Sequence, residues 1–228
     1  MPRSIDAVRR RAHGLLMRAY APVAQRAMRR RGAWRWRGLT LEVPVGVFHP
    51  GLFFSSTVLA DEIRRRAPRG RQVLDVGCGS GLLALAAAQA GGVVTAVDVN
   101  PAAVTATRAN AVRNGLTVEV VESDLFAALG DRRFDLVVVN PPYYRKDPAD
   151  DAERAWFAGI DLGYFDGFFD GLGAHLAVGA TVLMVLSEGC DLDAIGAAAR
   201  LHGYVLTDAV RRYAWLGLHV VHEVHRVA

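Results

Sequence analysis

Asn140-Pro141-Pro142-Tyr143 closes an apolar run, Leu136-Val137-Val138-Val139, and its residue types suit one kind of chemistry. A nitrogen bonded to a carbonyl or an aromatic ring is a poor nucleophile, because its lone pair is delocalised into the π-system. The Asn140 side-chain oxygen can accept one N–H of such a group and the Pro141 carbonyl the other, which turns the lone pair toward an electrophile. Pro141 and Pro142 stiffen the segment and keep both acceptors aimed, while the Tyr143 ring can stack on the planar group. No general base is needed first, since the product nitrogen sheds its proton to water. On its own the run would also serve as a proline-rich turn. A second motif makes it the candidate catalytic set.

That motif lies 65 residues upstream, where Asp75-Val76-Gly77-Cys78-Gly79-Ser80-Gly81 follows another β-rich run. Glycines here let the backbone turn tightly and let a ligand approach the main chain beside the positive end of a helix. Nicotinamide and flavin dinucleotide folds use a similar device. Two details favour S-adenosylmethionine instead. Asp75, ahead of the first glycine, suits the ammonium of a methionine moiety and would not help a pyrophosphate. The third glycine, Gly81, follows Gly79 by two residues, where dinucleotide fingerprints space it by three. Asp98 ends the next strand and can accept both ribose hydroxyls, and Asp124 ends the one after and can accept from the adenine amino group. Each aspartate alone could be an N-cap or turn residue. Three at successive strand ends form one site, completed by the neighbours Cys78, Val99 and Leu125 and by Asn140 itself. Cys78 also reads as a small packing residue.

The elements that must carry these motifs alternate. Strands are predicted at 72–77, 93–98, 117–122, 134–139, 180–186, 204–211 and 217–226, with helices at 81–90, 101–113 and 191–202 and a helical stretch at 152–177. Five strands with helical crossovers imply a parallel α/β sheet wound on both faces. The short link through Trp215, Leu216 and Gly217 makes the last two an antiparallel hairpin. Pro101 opens its helix at the first position, where proline is tolerated. Upstream, 56–66 reads as a helix and Leu39-Thr40-Leu41-Glu42-Val43 as part of a strand or hairpin. Apolar residues at three- and four-residue spacing over 5–20, then a short helix toward Gly32, describe a basic helical arm. The expected division is a helical arm at 1–37 and one domain at 38–228.

Composition narrows the class. The 228 residues, 52% hydrophobic and 22% charged, suffice for one sizeable domain. No apolar run reaches the roughly 18 residues that span a bilayer, and no secretory signal is recognisable. Cys78 and Cys190 read as reduced thiols, which points to the cytoplasm. The net charge of +4 is uneven: residues 1–37 hold eleven arginines against Asp6, a net +10, leaving −6 over the rest. Such an arm serves as a solvated amphipathic helix or as a foot on RNA or another anionic surface. His219, His222 and His225 alternate along a strand, which puts His222 on the opposite face, so no metal site is expected. Phe165, Phe168 and Phe169 follow helical spacing and read as core.

Over about residues 45–200 the chain resembles the HemK-type methyltransferases, which modify the glutamine of the Gly-Gly-Gln loop in translation termination factors. The glycine turn and Asn-Pro-Pro-Tyr carry the likeness. Gly46-Val47-Phe48-His49-Pro50 with Ser55-Ser56-Thr57 is similar to the segment that closes over the cofactor, and Trp156 with Gly159-Ile160-Asp161 is similar in layout. The resemblance implies a class I methyltransferase fold, S-adenosylmethionine as cofactor, Thr57 as a cofactor contact and a protein glutamine as acceptor. Shorter members of the group work with a small activating partner. The same loop also occurs in enzymes that methylate adenine or guanine amino groups in RNA and DNA, and a small-molecule acceptor fits the same chemistry.

Overall fold

The structure, a computed structural model, describes residues 32–52, 54–149, 153–214 and 217–227. The helices expected before residue 32 lie outside the described residues. Gly32–Trp36 is not part of a helical arm: it forms strand β1, paired antiparallel with β2, Leu39–Val43. Arg37 and Gly38 join them with φ of 44° and 86°, the left-handed pair that a tight hairpin needs. The boundary expected at residue 37 thus falls inside a hairpin turn.

Helix α1, Ser55–Arg65, leads into the main domain. The sheet then builds from β3 (Gln72–Val76), β4 (Val93–Asp98), β5 (Glu119–Glu122), β6 (Phe134–Val139), β7 (Leu176–Ser187), β8 (Tyr204–Ala214) and β9 (Gly217–Arg226). Their spatial order is β5-β4-β3-β6-β7-β9-β8. The pairs from β5 through β7 are parallel, and β9 runs antiparallel to both β7 and β8. This is the mostly parallel sheet with a C-terminal hairpin that the pattern predicts. Between β3 and β6 the winding reverses, and the crevice at the carboxyl ends of strands there is where open α/β sheets bind ligands.

Helices α2 (Leu82–Gln89) and α3 (Pro101–Arg113) flank the sheet with α1, over a core that includes Leu59, Ile63, Leu85, Val104 and Leu136. Helices α4 (Gly163–Leu172) and α5 (Leu192–Leu201) accompany a second core of Leu74, Val137, Phe165, Phe168, Phe169 and Ile195. The three phenylalanines are 0–1% exposed, as their spacing implies. Burying each contributes on the order of 2 kcal/mol.

The helical stretch expected at 152–177 is broken. Glu153–Ala155 and Gly173–His175 are short 3₁₀ turns, and only Gly163–Leu172 is α-helix. Gly159 at φ 89° and Leu162 at φ 60° interrupt the right-handed path before α4. Strand β7 begins at Leu176, earlier than the expected 180. Its register against β6 slips between the pairs Phe134↔Leu176 and Leu136↔Thr181, so Val178-Gly179 bulges out of the ladder.

The β1–β2 ribbon is anchored by two asparagines of α3. Asn110 and Asn114 each take a backbone N–H and give an N–H back to a carbonyl, at Glu42 and Thr40, all at 2.9 Å. These amides stand in for a neighbouring strand along the edge of β2. They fix the start of the loop that follows, and Asn100 Nδ2 donates to the Gly46 carbonyl within it at 3.3 Å.

Among the described residues no helix is long and apolar enough to cross a membrane. Cys78 and Cys190 are free thiols.

Candidate functional site

The carboxyl ends of β3, β4, β5 and β6 surround a cavity of about 580 Å³. Gly77 and Gly79, at φ of 74° and 55°, turn the chain out of β3. A Cβ on Gly77 would meet nothing within 4 Å, so its requirement is the backbone angle and an open approach for a ligand. The Gly77 and Cys78 amides donate to the Val97 carbonyl at 2.9 Å, tying the turn to β4. Asp98 completes that tie: Oδ2 accepts from Gly79 N at 2.8 Å and Oδ1 from Asn100 N at 2.9 Å. Burial raises its pKa above the ordinary carboxylate value.

Of the residues expected to hold the cofactor, Gly77, Cys78, Gly79, Asp98, Val99, Asp124, Leu125 and Asn140 line this cavity. Three expected there do not. Asp75 is fully buried beneath the turn, and its Oδ2 accepts the Ala84 amide at 2.9 Å, so its carboxylate serves the first turn of α2 instead of facing an ammonium. Its Oδ1 has no hydrogen-bond partner, and burial pushes its pKa up to about 7. Gly81, at φ 91°, starts α2, and a Cβ there would come within 3.0 Å of the Thr107 side chain. Its glycine is a packing requirement between α2 and α3. Thr57 turns away, because its hydroxyl donates to the Phe54 carbonyl at 2.8 Å. The two serines before it take the cavity wall.

Asn140, Pro141, Pro142 and Tyr143 line the opposite side of the same cavity. Asn140 Nδ2 donates to Ser56 Oγ at 2.9 Å, across 84 residues of sequence. That bond occupies the amide's donor end and leaves its acceptor, Oδ1, buried with no partner. Leaving such an atom unsatisfied costs about 1–3 kcal/mol, which a ligand N–H would recover. The Tyr143 and Tyr144 amides both donate to the Trp156 carbonyl, at 3.2 and 3.0 Å, and Ala158 N donates back to Tyr144. The loop after β6 is thereby clamped to the segment around Trp156. Tyr143 packs its ring 4.9 Å from that of Tyr144 and against the core of α4, and burial raises its phenol well above the usual range. Phe48 and Trp156, with ring centroids 5.2 Å apart, both line the cavity.

Sequence reasoning took Thr57 from the run Ser55-Ser56-Thr57 as the contact and gave no role to Ser55, Ser56 or Tyr164. Ser55 Oγ is buried without a partner, as is the Tyr164 hydroxyl, and both residues line the cavity. The serines were visible beside Thr57, but only the rotation of α1 decides which of the three faces inward. Tyr164 carried no signal beyond its place in an aromatic helix.

His219 pairs in register with Ser187, while His222 Nδ1 lies 3.2 Å from Asp208 Oδ1. Among the described residues, no three His, Cys, Asp or Glu side chains converge as ligands of a metal.

Residues 38–157 match the methyltransferase small domain family. The chain is 40% identical over 114 residues to the release factor glutamine methyltransferase of Geobacter sulfurreducens, covering 49% of this chain and 39% of that protein. It is 39% identical over 116 residues to the ribosomal RNA small subunit methyltransferase C of Chromohalobacter salexigens, covering 50% and 34%. The chain therefore spans well under half the length of these curated relatives. Among solved structures, the Thermus thermophilus 16S rRNA N2 G1207 methyltransferase, in complex with AdoMet and guanosine, superposes with a TM-score of 0.64 at 24% identity. That match covers 87% of this chain and 50% of the other.

Proposed function

Because this chain belongs to the methyltransferase small domain family, with S-adenosylmethionine as cofactor, we propose that it is an N-methyltransferase acting on a planar amide or amino nitrogen. The acceptor in this reading is a glutamine side chain of a protein, as in the translation termination factors. A relative named for that substrate supports it. A small activating partner belongs to the same reading.

The residues fit the cofactor. Asp98 and Asp124 offer acceptors for hydroxyl and amino groups, the glycine turn offers open backbone, and the cavity joins them to Asn140. When bound there, S-adenosylmethionine supplies an electrophilic methyl group on a positively charged sulfur. Everything else falls to the protein.

The observation that carries the proposal is the orphaned Asn140 Oδ1. Ser56 engages the amide's NH₂, which leaves its oxygen as the end able to accept. An acceptor amino group donates one N–H to that oxygen and the other to the Pro141 carbonyl. Both bonds draw the nitrogen lone pair out of conjugation and toward the methyl group. Phe48 and Trp156 pack against each other in the cavity lining and give it an apolar wall. The methylated nitrogen loses its proton to solvent.

A second reading, methylation of an exocyclic amino group in RNA, draws on the relative named for ribosomal RNA and on the +10 charge of residues 1–37. One experiment separates the two. The purified protein is incubated with radiolabelled S-adenosylmethionine and host lysate, and aliquots are digested with protease or nuclease. Label released by protease alone supports the glutamine reading. Label released by nuclease alone overturns it in favour of RNA, where deletion of residues 1–31 and added salt should then both weaken binding.

A further inference from the structure

Tyr164 lies in the first turn of helix α4, and its phenol oxygen is buried with no hydrogen-bond partner. The ring is not free to find one. It lies edge-on to Phe165 at 5.6 Å and stacked on Phe168 at 6.4 Å, and its backbone amide is held by the Ala158 carbonyl at 3.1 Å. A buried hydroxyl kept rigid and unsatisfied is a cost that phenylalanine at the same place would not carry.

Its surroundings say what would satisfy it. Tyr164 lines the cavity, and its burial, reinforced by the negative fields of Asp98, Asp75 and Asp124, keeps the phenol protonated with a proton to give. It is therefore a donor. No neighbouring carboxylate accepts from it: the oxygens of Asp98 accept the backbone amides of Gly79 and Asn100, Asp75 Oδ2 accepts from Ala84, and Asp75 Oδ1 is itself without a partner. One residue-turn further along α4, Gly167 sits against Leu125, with a Cβ there 3.1 Å from Leu125 Cδ1. The start of α4 is thus seated against the turn after β5, on the side where Asp98 and Asp124 would hold a nucleoside.

A ribose hydroxyl that donates its proton to Asp98 keeps its lone pairs. Donation to a carboxylate makes that oxygen a better acceptor in turn. We propose that Tyr164 is a cofactor-binding residue whose phenol donates to a ribose hydroxyl oxygen in the nucleoside half of S-adenosylmethionine, closing a chain that runs from tyrosine through ribose to Asp98. This rests on the cofactor site alone and holds whichever acceptor is methylated.

Tyr164→Phe removes the hydroxyl and keeps the ring, so the full chain should fold as before. Calorimetric titration of wild type and variant with S-adenosylmethionine and with 5′-methylthioadenosine, which lacks the amino-acid half, tests the assignment. Both ligands should bind about tenfold more weakly to the variant, as expected for losing one hydrogen bond to a buried donor. The ligand-free variant should melt at the same temperature as wild type or higher, because an unsatisfied group has gone. With 2′-deoxy or 3′-deoxy 5′-methylthioadenosine, one of the two should show no difference between the proteins. Unchanged affinity for S-adenosylmethionine overturns the proposal. So does a loss confined to S-adenosylmethionine, which would place the phenol on the amino-acid half, or a penalty that persists with both deoxy ligands, which would place it on the base. A lower melting temperature in the ligand-free variant would make the hydroxyl structural and overturn it as well.

Discussion

The two halves of the cavity are built from different chemistry. At the ends of β4 and β5 stand Asp98 and Asp124, with Asp75 buried beneath them; after β6 stand Asn140, Pro141 and Tyr143, with Ser56 bonded to Asn140. One half is acidic and the other is neutral. A positively charged cofactor gains from nearby carboxylates, even partly desolvated ones. The proposed acceptor site has a different task, since it must accept two N–H bonds without burying a further charge that nothing compensates. A neutral amide oxygen and a peptide carbonyl meet that requirement. The halves also differ in how they are held. Asp98 is fixed by amides two and nineteen residues away, whereas Asn140 depends on a serine 84 residues distant.

If that division is right, breaking each half should break a different measurement. The largest effect is expected for Asn140→Ala, which should lower turnover by roughly a thousandfold while leaving S-adenosylmethionine affinity nearly unchanged. Wild-type turnover in this variant would remove the acceptor half from its proposed role. Asp98→Ala should do the opposite, weakening cofactor binding by about 10- to 100-fold as a charge-assisted bond is lost. A loss of turnover at saturating cofactor with normal affinity would erase the contrast.

Ser56→Ala should lower turnover by about tenfold, because the Asn140 amide loses the bond that orients it. Ser56→Thr, which keeps the hydroxyl acceptor without adding a charge, should restore part of that loss. If alanine and threonine behave alike, Ser56 does not act through Asn140.

The smallest effect concerns pH. Asp75 has its pKa raised from 3.8 to about 7 in the folded protein. Between those values the unfolded chain binds fewer protons than the folded one, so ligand-free stability should fall as pH rises from about 4 to about 7 and level off above it. The slope for one such group is at most about 1.4 kcal/mol per pH unit. Asp98, also raised, acts in the same direction. Asp75→Asn keeps an acceptor for Ala84 N and should flatten the decline in thermal melting across that range. An unchanged pH profile would mean that Asp75 is not neutralised by folding.

Much of the arrangement was legible because it is local. Glycines followed by an Ala/Leu-rich helix, aspartates at strand ends and Pro101 at a helix start each report a backbone conformation set by a few neighbouring residues. The order of apolar runs then required a parallel sheet with a final hairpin. The break before α4 was harder to see, since Leu162 in a left-handed conformation has no composition to betray it. What faces the cavity was legible for Asp98, Asp124 and Asn140 but not for Ser56 or Tyr164. A helix turns about 100° per residue, so Ser56 meets Asn140 while Thr57, one step on, bonds back to Phe54. Asp75 looked like a ligand-facing acid, yet β3 alternates its side chains and sends this one beneath the glycine turn to α2. The sequence by itself determined the strands, the turns and the acids available at their ends. Only the tertiary structure decided which of those groups share one cavity, because their orientations depend on contacts between segments that the chain keeps far apart.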